Sequence, residues 1–550
     1  MNATRSTKGL SALTGMQLML PTAVFLVLFF VWPTILVLSQ SLLGEGAWLS
    51  QYTKFLSSAG YVRILVRTLV MAGLVSTLCL LIAYPYAYLM SQVRGHMLTA
   101  LTGVVLISFF TSVMVRSFAW IVMMQRNGII DRLVQSIGLE SFVLRGSTLG
   151  VTVAMVQVML PFMIFPLYSA MIGIDRRLRI ASTSLGANGW TTFWRIYWPL
   201  SLPGVVSGWV IVFITSLGFY IIPGLVGSPQ EQLLSQLIYT LIDTVLNVPL
   251  ASAASMLLLV MALAVVLPAM TRFDVMGGVT ARAGQAHEDT SRPAAWLYIW
   301  AAIVSIALLL PSLVVIPLSF PGNASFAFPP TSWSTRWYER FFSSEEWYGS
   351  LLASLQVAFL TMLLSVALSV SAALAMRRMS SSLRATFRSF VMAPRIVPGI
   401  IIALAIYGLF LTSGLNATYS GFVIAHTVLA LPFSFIPIMT ALNQFDARLE
   451  QASASLGAGR ITTLFRVMLP LIAPGLVTGG LFAFVISFDE VVVSLFISGT
   501  ELRTLPVKMY RSIATDIDPT IAAASTMLLL LTVGLVIGSS LLSKKFQRAT

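Results

Sequence analysis

Twelve continuous apolar runs dominate the sequence, each long enough, at roughly 20 residues, to cross a bilayer as a helix. They lie near 17-42, 64-90, 98-124, 148-173, 201-226, 249-270, 295-320, 350-376, 386-413, 417-443, 471-499 and 520-543. The alternation that builds an outer-membrane barrel is absent, so the spans must satisfy their own backbone groups as helices. Composition agrees: of 550 residues, 57% are hydrophobic and 9% charged, more apolar surface than a soluble core of this length could hide. The expected fold is all-α and polytopic, with about 12 transmembrane helices in a lipid bilayer. The first run is too long for a signal-peptide core and no small-residue cleavage site follows it, which predicts a retained helix.

The net charge of +14 marks topology rather than a nucleic-acid partner. With both termini in the cytoplasm, 20 of the 33 basic residues fall inside, 11 outside and two, Arg116 and Arg395, within spans. That bias follows the positive-inside rule and favours this orientation over its reverse. Cys79, the single cysteine, cannot form an internal disulfide. His96, His287 and His426 are scattered, which predicts no metal site and makes His426 a satisfied core residue.

The chain is duplicated. From Leu160 to beyond Met256 a displacement of 271 keeps register without a gap: "LPFMIFPLYSAMIGID" answers "LPFSFIPIMTALNQFD", and Tyr239 meets Tyr510. Earlier the displacement is 286, so the first copy carries about 15 extra residues, near 125-147. The polar stretch "RFDVMGGVTARAGQAHEDTSRP" separates the copies. The expected division is a first half over 1-271, a cytoplasmic linker over 272-294 and a second half over 295-550. Six spans per half, an even number, set both halves the same way up, related by a pseudo-twofold axis along the membrane normal.

One segment outside the bilayer occurs in both copies: "ASTSLGANGWTTFWRIYWPLSLPG" from Ala181 and "ASASLGAGRITTLFRVMLPLIAPG" from Ala452. A Gly-containing turn divides a helix-compatible run that ends in prolines before the next span. Phe193, Ile196 and Tyr197 in one copy, and Leu464, Val467 and Met468 in the other, recur at helical spacing. Such a stripe suits either a docking surface or a membrane-surface helix tucked under its own bundle.

The spacing resembles the cytoplasmic signature of permeases in ATP-driven, binding-protein-dependent importers: Glu-Ala-Ala, three residues, Gly, nine residues, Ile, one residue, Leu-Pro. Gly186 and Gly457 hold the Gly place, Ile196 and Val467 the Ile place, Pro199 and Pro470 the Pro place. "IAS" and "QAS", with Ala181 and Ala452 at their centres, replace Glu-Ala-Ala. The resemblance implies a type I ABC importer permease fold whose two segments are coupling helices for a homodimeric ABC ATPase. It also implies a periplasmic or extracellular substrate-binding protein and a place in a bacterial inner membrane. A P-loop needs lysine directly after glycine, and Lys8, Lys54, Lys508, Lys544 and Lys545 follow other residues. ATP and Mg are therefore expected on the partner ATPase, with no cofactor in this chain. No nucleophile or acid-base pair points to an enzyme. Twelve spans in two parallel halves also suit a proton-coupled secondary transporter, which would not need two cytosolic docking segments.

Charges within spans are costly and are functional suspects by default. Four stand out: Arg116, Arg395, Asp489 and Glu490. The acidic pair interrupts the apolar stretch "FAFVISFDEVVVSLFISG", while the first copy has Gly218 and Phe219 at the matching places. The pair reads either as part of the substrate path or as partner to the two arginines. "SFDEVVVSLFISG" resembles the second permease subunit of putrescine and spermidine importers, and "GFYIIPGLVGSP" the first. A polyamine would find in these carboxylates charge-assisted hydrogen bonds in place of hydration. Arg395 in "APRIVPG" keeps open a zwitterionic amine, such as an opine or aminophosphonate; ferric iron is the weaker alternative.

Overall fold

The computed structural model describes residues 3–549 apart from 43–47, 142, 176, 273–292, 325, 327 and 516–517. The first half contains α1 (Gly15–Gln40), α2 (Ala59–Gln92), α3 (Gly95–Phe110), α4 (Val113–Met124), α5 (Thr148–Ile172), α6 (Arg177–Ser184), α7 (Gly189–Leu217), α8 (Ile221–Val226), α9 (Leu234–Asp243) and α10 (Val248–Arg272). The second contains α11 (Ala295–Leu318), α12 (Glu345–Arg377), α13 (Ser381–Met392), α14 (Gly399–Ser413), α15 (Tyr419–Gln444), α16 (Ala447–Ser455), α17 (Arg460–Leu471), α18 (Ala473–Phe488), α19 (Val492–Ile497), α20 (Leu505–Thr515) and α21 (Thr520–Ala549). The repeat read from sequence is a structural repeat. Helices α8 and α19 coincide residue for residue at the 271 displacement, and α2 answers α12 at 286. The extra residues of the first copy include a short helix, Ile129–Ser136.

The twelve expected spans are not twelve straight helices. Among the described residues eight helices are long and apolar enough to cross a bilayer, and three more candidates are bent pairs. The run at 98-124 turns by 92° between α3 and α4, and the run at 386-413 by 89° before α14. Local chemistry places both turns: the Ser112 hydroxyl accepts from Met114 N and caps α4, and Pro398 precedes α14. The expected spans 201-226 and 471-499 break too, at 218–220 and 489–491, before α8 and α19. The last expected span, 520-543, lies within the helix α21.

Three π-helical turns, Val27–Val31, Phe193–Tyr197 and Leu464–Met468, each end two residues before a proline: Pro33, Pro199 and Pro470. Proline cannot donate to the carbonyl four residues back and its ring crowds that carbonyl, so the preceding turn widens. Two of the three are repeat mates, one in each segment that the sequence repeats.

Each half lends its first helix to the other. Helix α1 packs against α12, where Thr22 Oγ1 donates to Leu368 O at 2.8 Å and Ser371 Oγ to Leu18 O at 2.5 Å. Helix α11 packs against α2, α3, α4 and α5, with Trp300 Nε1 donating to Ile82 O at 3.1 Å and Gln157 Nε2 to Leu308 O at 3.0 Å. The expected linker, 272-294, falls almost entirely outside the described residues. If it only connects, fragments 1-280 and 281-550 expressed together should assemble and restore transport. Either fragment alone leaves the seat of the exchanged helix empty and should be cleared from the membrane. Immunoblots and uptake assays check this; failure of the pair despite insertion of both fragments would show that residues 272-294 do more than connect.

Candidate functional site

Both repeated segments have the same construction. In the first, α6 ends at Gly186, whose φ of +81° is left-handed; its N–H donates to Thr183 O at 3.0 Å and Ala187 N to Ser182 O at 3.1 Å. In the second, α16 ends at Gly457, also at +81°, with the mate bonds Gly457 N to Ala454 O at 3.0 Å and Ala458 N to Ser453 O at 3.1 Å. Glycine is the residue that takes this helix-ending conformation without strain. A buried hydroxyl pair then staples the two helices of each segment: Ser182 to Thr192 at 2.8 Å and Ser453 to Thr463 at 2.9 Å.

Of the two readings left open for the stripe, packing under its own bundle is the one seen in each segment. Phe193 meets Tyr84 edge-on at 5.8 Å, Tyr197 meets Tyr88 at 4.9 Å, and Met468 is buried. Ile196 and Val467 are half-buried within the π turns. A second apolar face points away. Leu185 is 88% exposed and its mate Leu456 89%; Trp190 and Trp194 are exposed, as are their mates Ile461 and Phe465. Helical spacing identifies apolar faces but not which one meets the bundle. Ala181, Ala452, Pro199 and Pro470 are exposed as well. The copies differ at the span entry: the first runs helix to helix from Gly189 to Leu217, while the second bends by 76° between α17 and α18. An ion pair between Arg377 and Glu450, at 3.5 Å, ties the end of α12 to α16 in the second copy alone among the described residues.

The intramembrane charges sit at helix breaks. Asp489 lies between α18 and α19, half-buried; its Oδ1 accepts from Ser112 Oγ at 2.5 Å, and Val113 N donates to both carboxylate oxygens at 3.1 Å. A carboxylate from the second half thus caps α4 of the first, where orphan N–H groups and the helix dipole favour negative charge. The repeat mate of this contact is Gly218 against Pro398 and Gly399. A Cβ at Gly218 would lie 2.8 Å from Pro398 Cβ, so the mate site has no room for a carboxylate. Glu490 accepts from Val493 N through Oε1 at 2.8 Å, capping α19.

Arg116 and Asp489 interact electrostatically but not in direct contact. Among the described residues no ion pair joins Asp489 or Glu490 to Arg116 or Arg395. Arg116, one turn into α4, is 2% exposed, and its Nε and Nη1 have no hydrogen-bond partner. Arg395 stands over the Phe433 ring at 5.4 Å; the mate contact is the aromatic pair Phe109 and Phe162 at 5.1 Å. His426, fully buried on α15, bridges the same break: Nδ1 lies 2.8 Å from Ser487 Oγ on α18 and Nε2 2.9 Å from Ser494 Oγ on α19. Sequence reasoning missed Ser112, Ser487 and Ser494; for Ser112 a signal existed, a serine preceding an apolar run as an N-cap does. Among the described residues no three His, Cys, Asp or Glu side chains gather as a metal site, and His287 lies outside them.

Residues 365–547 match the family model described as "Binding-protein-dependent transport system inner membrane component". The chain is 29% identical over 243 residues to spermidine/putrescine transport system permease protein PotC of Haemophilus influenzae, covering 44% of this chain and 94% of that one. It is 31% identical over 241 residues to permease protein PotB of the same organism, covering 42% and 84%. Among solved structures, a bacterial ABC transporter involved in the import of the acidic polysaccharide alginate aligns at 19% identity and a TM-score of 0.39, over 46% of this chain and 92% of that chain.

Proposed function

The chain belongs to the family of binding-protein-dependent transport system inner membrane components, and we propose that it forms, in one polypeptide, the whole translocation path of an ATP-driven polyamine importer. Both permease halves, 1-271 and 295-550, are then fused through the cytoplasmic linker 272-294, with both termini in the cytoplasm. ATP and Mg are bound by a separate homodimeric ATPase, and a substrate-binding protein delivers the solute from outside. The observation that carries this reading is the pair of matched segments with exposed Leu185 and Leu456. A dimeric motor presents two equivalent sockets, and this chain offers two equivalent plugs, each held at fixed shape by a glycine turn and a hydroxyl staple. Each continues through a proline-associated π turn into a span, so closure of the motor around ATP would move the spans.

The relatives named for spermidine and putrescine support the substrate class, and the site chemistry agrees. Asp489 is committed to α4 of the other half, whereas Glu490 engages backbone N–H groups at the start of α19 alone among the hydrogen bonds of the described residues. A half-buried carboxylate oxygen at a helix break replaces the hydration that an ammonium group loses on entering the path.

Uptake into proteoliposomes holding the chain, its ATPase and the binding protein tests this. Labelled spermidine should accumulate only with internal ATP, excess putrescine should compete, and an opine should not. Accumulation driven by a proton gradient without ATP would contradict the proposed class. ATP-driven uptake of an opine in preference to spermidine would contradict the substrate.

A further inference from the structure

Beside α13 and the end of α15 lies a cavity of about 310 Å³. Arg384 and Arg388 line it from α13, with Met392; Phe435, Met439 and Asn443 line it from α15. The arginines are four residues apart and so share one face of the helix. Each arginine already engages a partner with part of its five-donor fork, Arg384 through Nη2 on Met379 O at 3.1 Å. No carboxylate is among the described lining residues, so the wall combines two guanidinium groups with a mostly apolar surface. The feature belongs to one half only. At the 286 displacement the arginines answer Leu98 and Thr102 on α3, neither of them charged. Machinery common to both halves would repeat, and this does not.

Its place in the fold selects the ligand. Helix α15 leads from this wall through Asp446 directly into α16, so the cavity lies at the membrane edge on the side of the repeated segments. That side is cytoplasmic on the reading proposed above, and this is the only point at which the inference rests on it. The cytoplasmic leaflet supplies anionic lipids, and the field near that surface gains about fivefold in affinity for each basic residue. Paired guanidiniums match the planar oxygen pairs of phosphate, and the methionine and phenylalanine wall matches an acyl chain. We propose that the cavity holds the phosphate headgroup of an anionic phospholipid from the cytoplasmic leaflet, with Arg384 and Arg388 on the phosphate.

Lipid retention by the purified full chain tests this without requiring transport, so it can fail while the importer reading stands, and the reverse. From micelles containing equal phosphatidylglycerol and phosphatidylcholine, the wild-type chain should retain phosphatidylglycerol selectively. The Arg384→Gln, Arg388→Gln double variant should lose about 25-fold in that preference, and Thr102→Gln at a mate position should lose nothing. Arg384→Gln alone, an exposed position, should lose about fivefold and serves if the double variant folds poorly. Equal retention by wild type and variants would overturn the site. Displacement of the lipid by inorganic phosphate at millimolar concentration would assign the arginines to a soluble phosphate and overturn the lipid.

Discussion

Replacing Leu185 and Leu456 together by aspartate should reduce ATP-driven uptake by at least about 100-fold while the chain inserts and melts as before. Both side chains are almost fully exposed, and substitutions at such positions usually change stability by no more than about 0.5 kcal/mol. Seated in a socket they become central apolar anchors, where truncation alone costs about 2 kcal/mol or more and a charge costs further desolvation. Two such losses compound, so each single variant should fall by only about 10- to 30-fold. Gly457 separates shape from contact. Its left-handed φ admits asparagine but strains a β-branched residue, so Gly457→Val should impair uptake more than Gly457→Asn. Normal uptake by the double aspartate variant would remove the docking role from both segments.

Neutralising the acidic pair should give two different defects. Glu490→Gln should slow uptake by about tenfold, the value of one charge-assisted hydrogen bond to a passing ammonium, and leave the melting temperature unchanged. Asp489→Asn should destabilise the protein by about 1–3 kcal/mol. Its Oδ1 receives both the Ser112 hydroxyl and Val113 N, and Val113 N also reaches Oδ2; an amide keeps the first oxygen but turns a donor toward Val113 N and removes the negative charge from the N-terminus of α4. Thermal melts and uptake on the same two variants decide the matter. The opposite pattern, with Glu490→Gln unstable and Asp489→Asn stable but slow, would exchange the two roles.

Much of this architecture is written openly in the sequence, because a duplicated chain gives two readings of each element. The displacement of 271 sets the Gly186 turn against the Gly457 turn and the end of the 201-226 run against that of the 471-499 run. The bends were hidden, since apolar content and length do not distinguish one straight span from two helices meeting at a right angle. Pro394 and Pro398 carried that information for the 386-413 run, and Thr111 with Ser112 carried it faintly for its mate. The Asp489 contact had no signature at all: its partner is largely a backbone N–H 376 residues away, and every residue but proline has one. The asymmetry between Asp489 and Gly218 was legible as letters, whereas its cause, the proline that fills the mate site, required the fold. Which apolar face of each segment meets the bundle was not legible, because each segment has two, and only packing, as of Phe193 on Tyr84 and Tyr197 on Tyr88, shows which one is turned inward.

The central claim is that two repeated segments of one chain seat the two subunits of one motor. Cys79, the single native cysteine, is buried, so Leu185→Cys and Leu456→Cys each place one reactive thiol on an exposed tip. Treatment of native membranes with a thiol-to-amine cross-linker should join either variant to the same P-loop ATPase, identified by mass spectrometry. The doubly substituted chain should yield a product with two ATPase copies per chain. Cross-linking at one tip only, to two unrelated proteins, or to lipid alone would contradict the account.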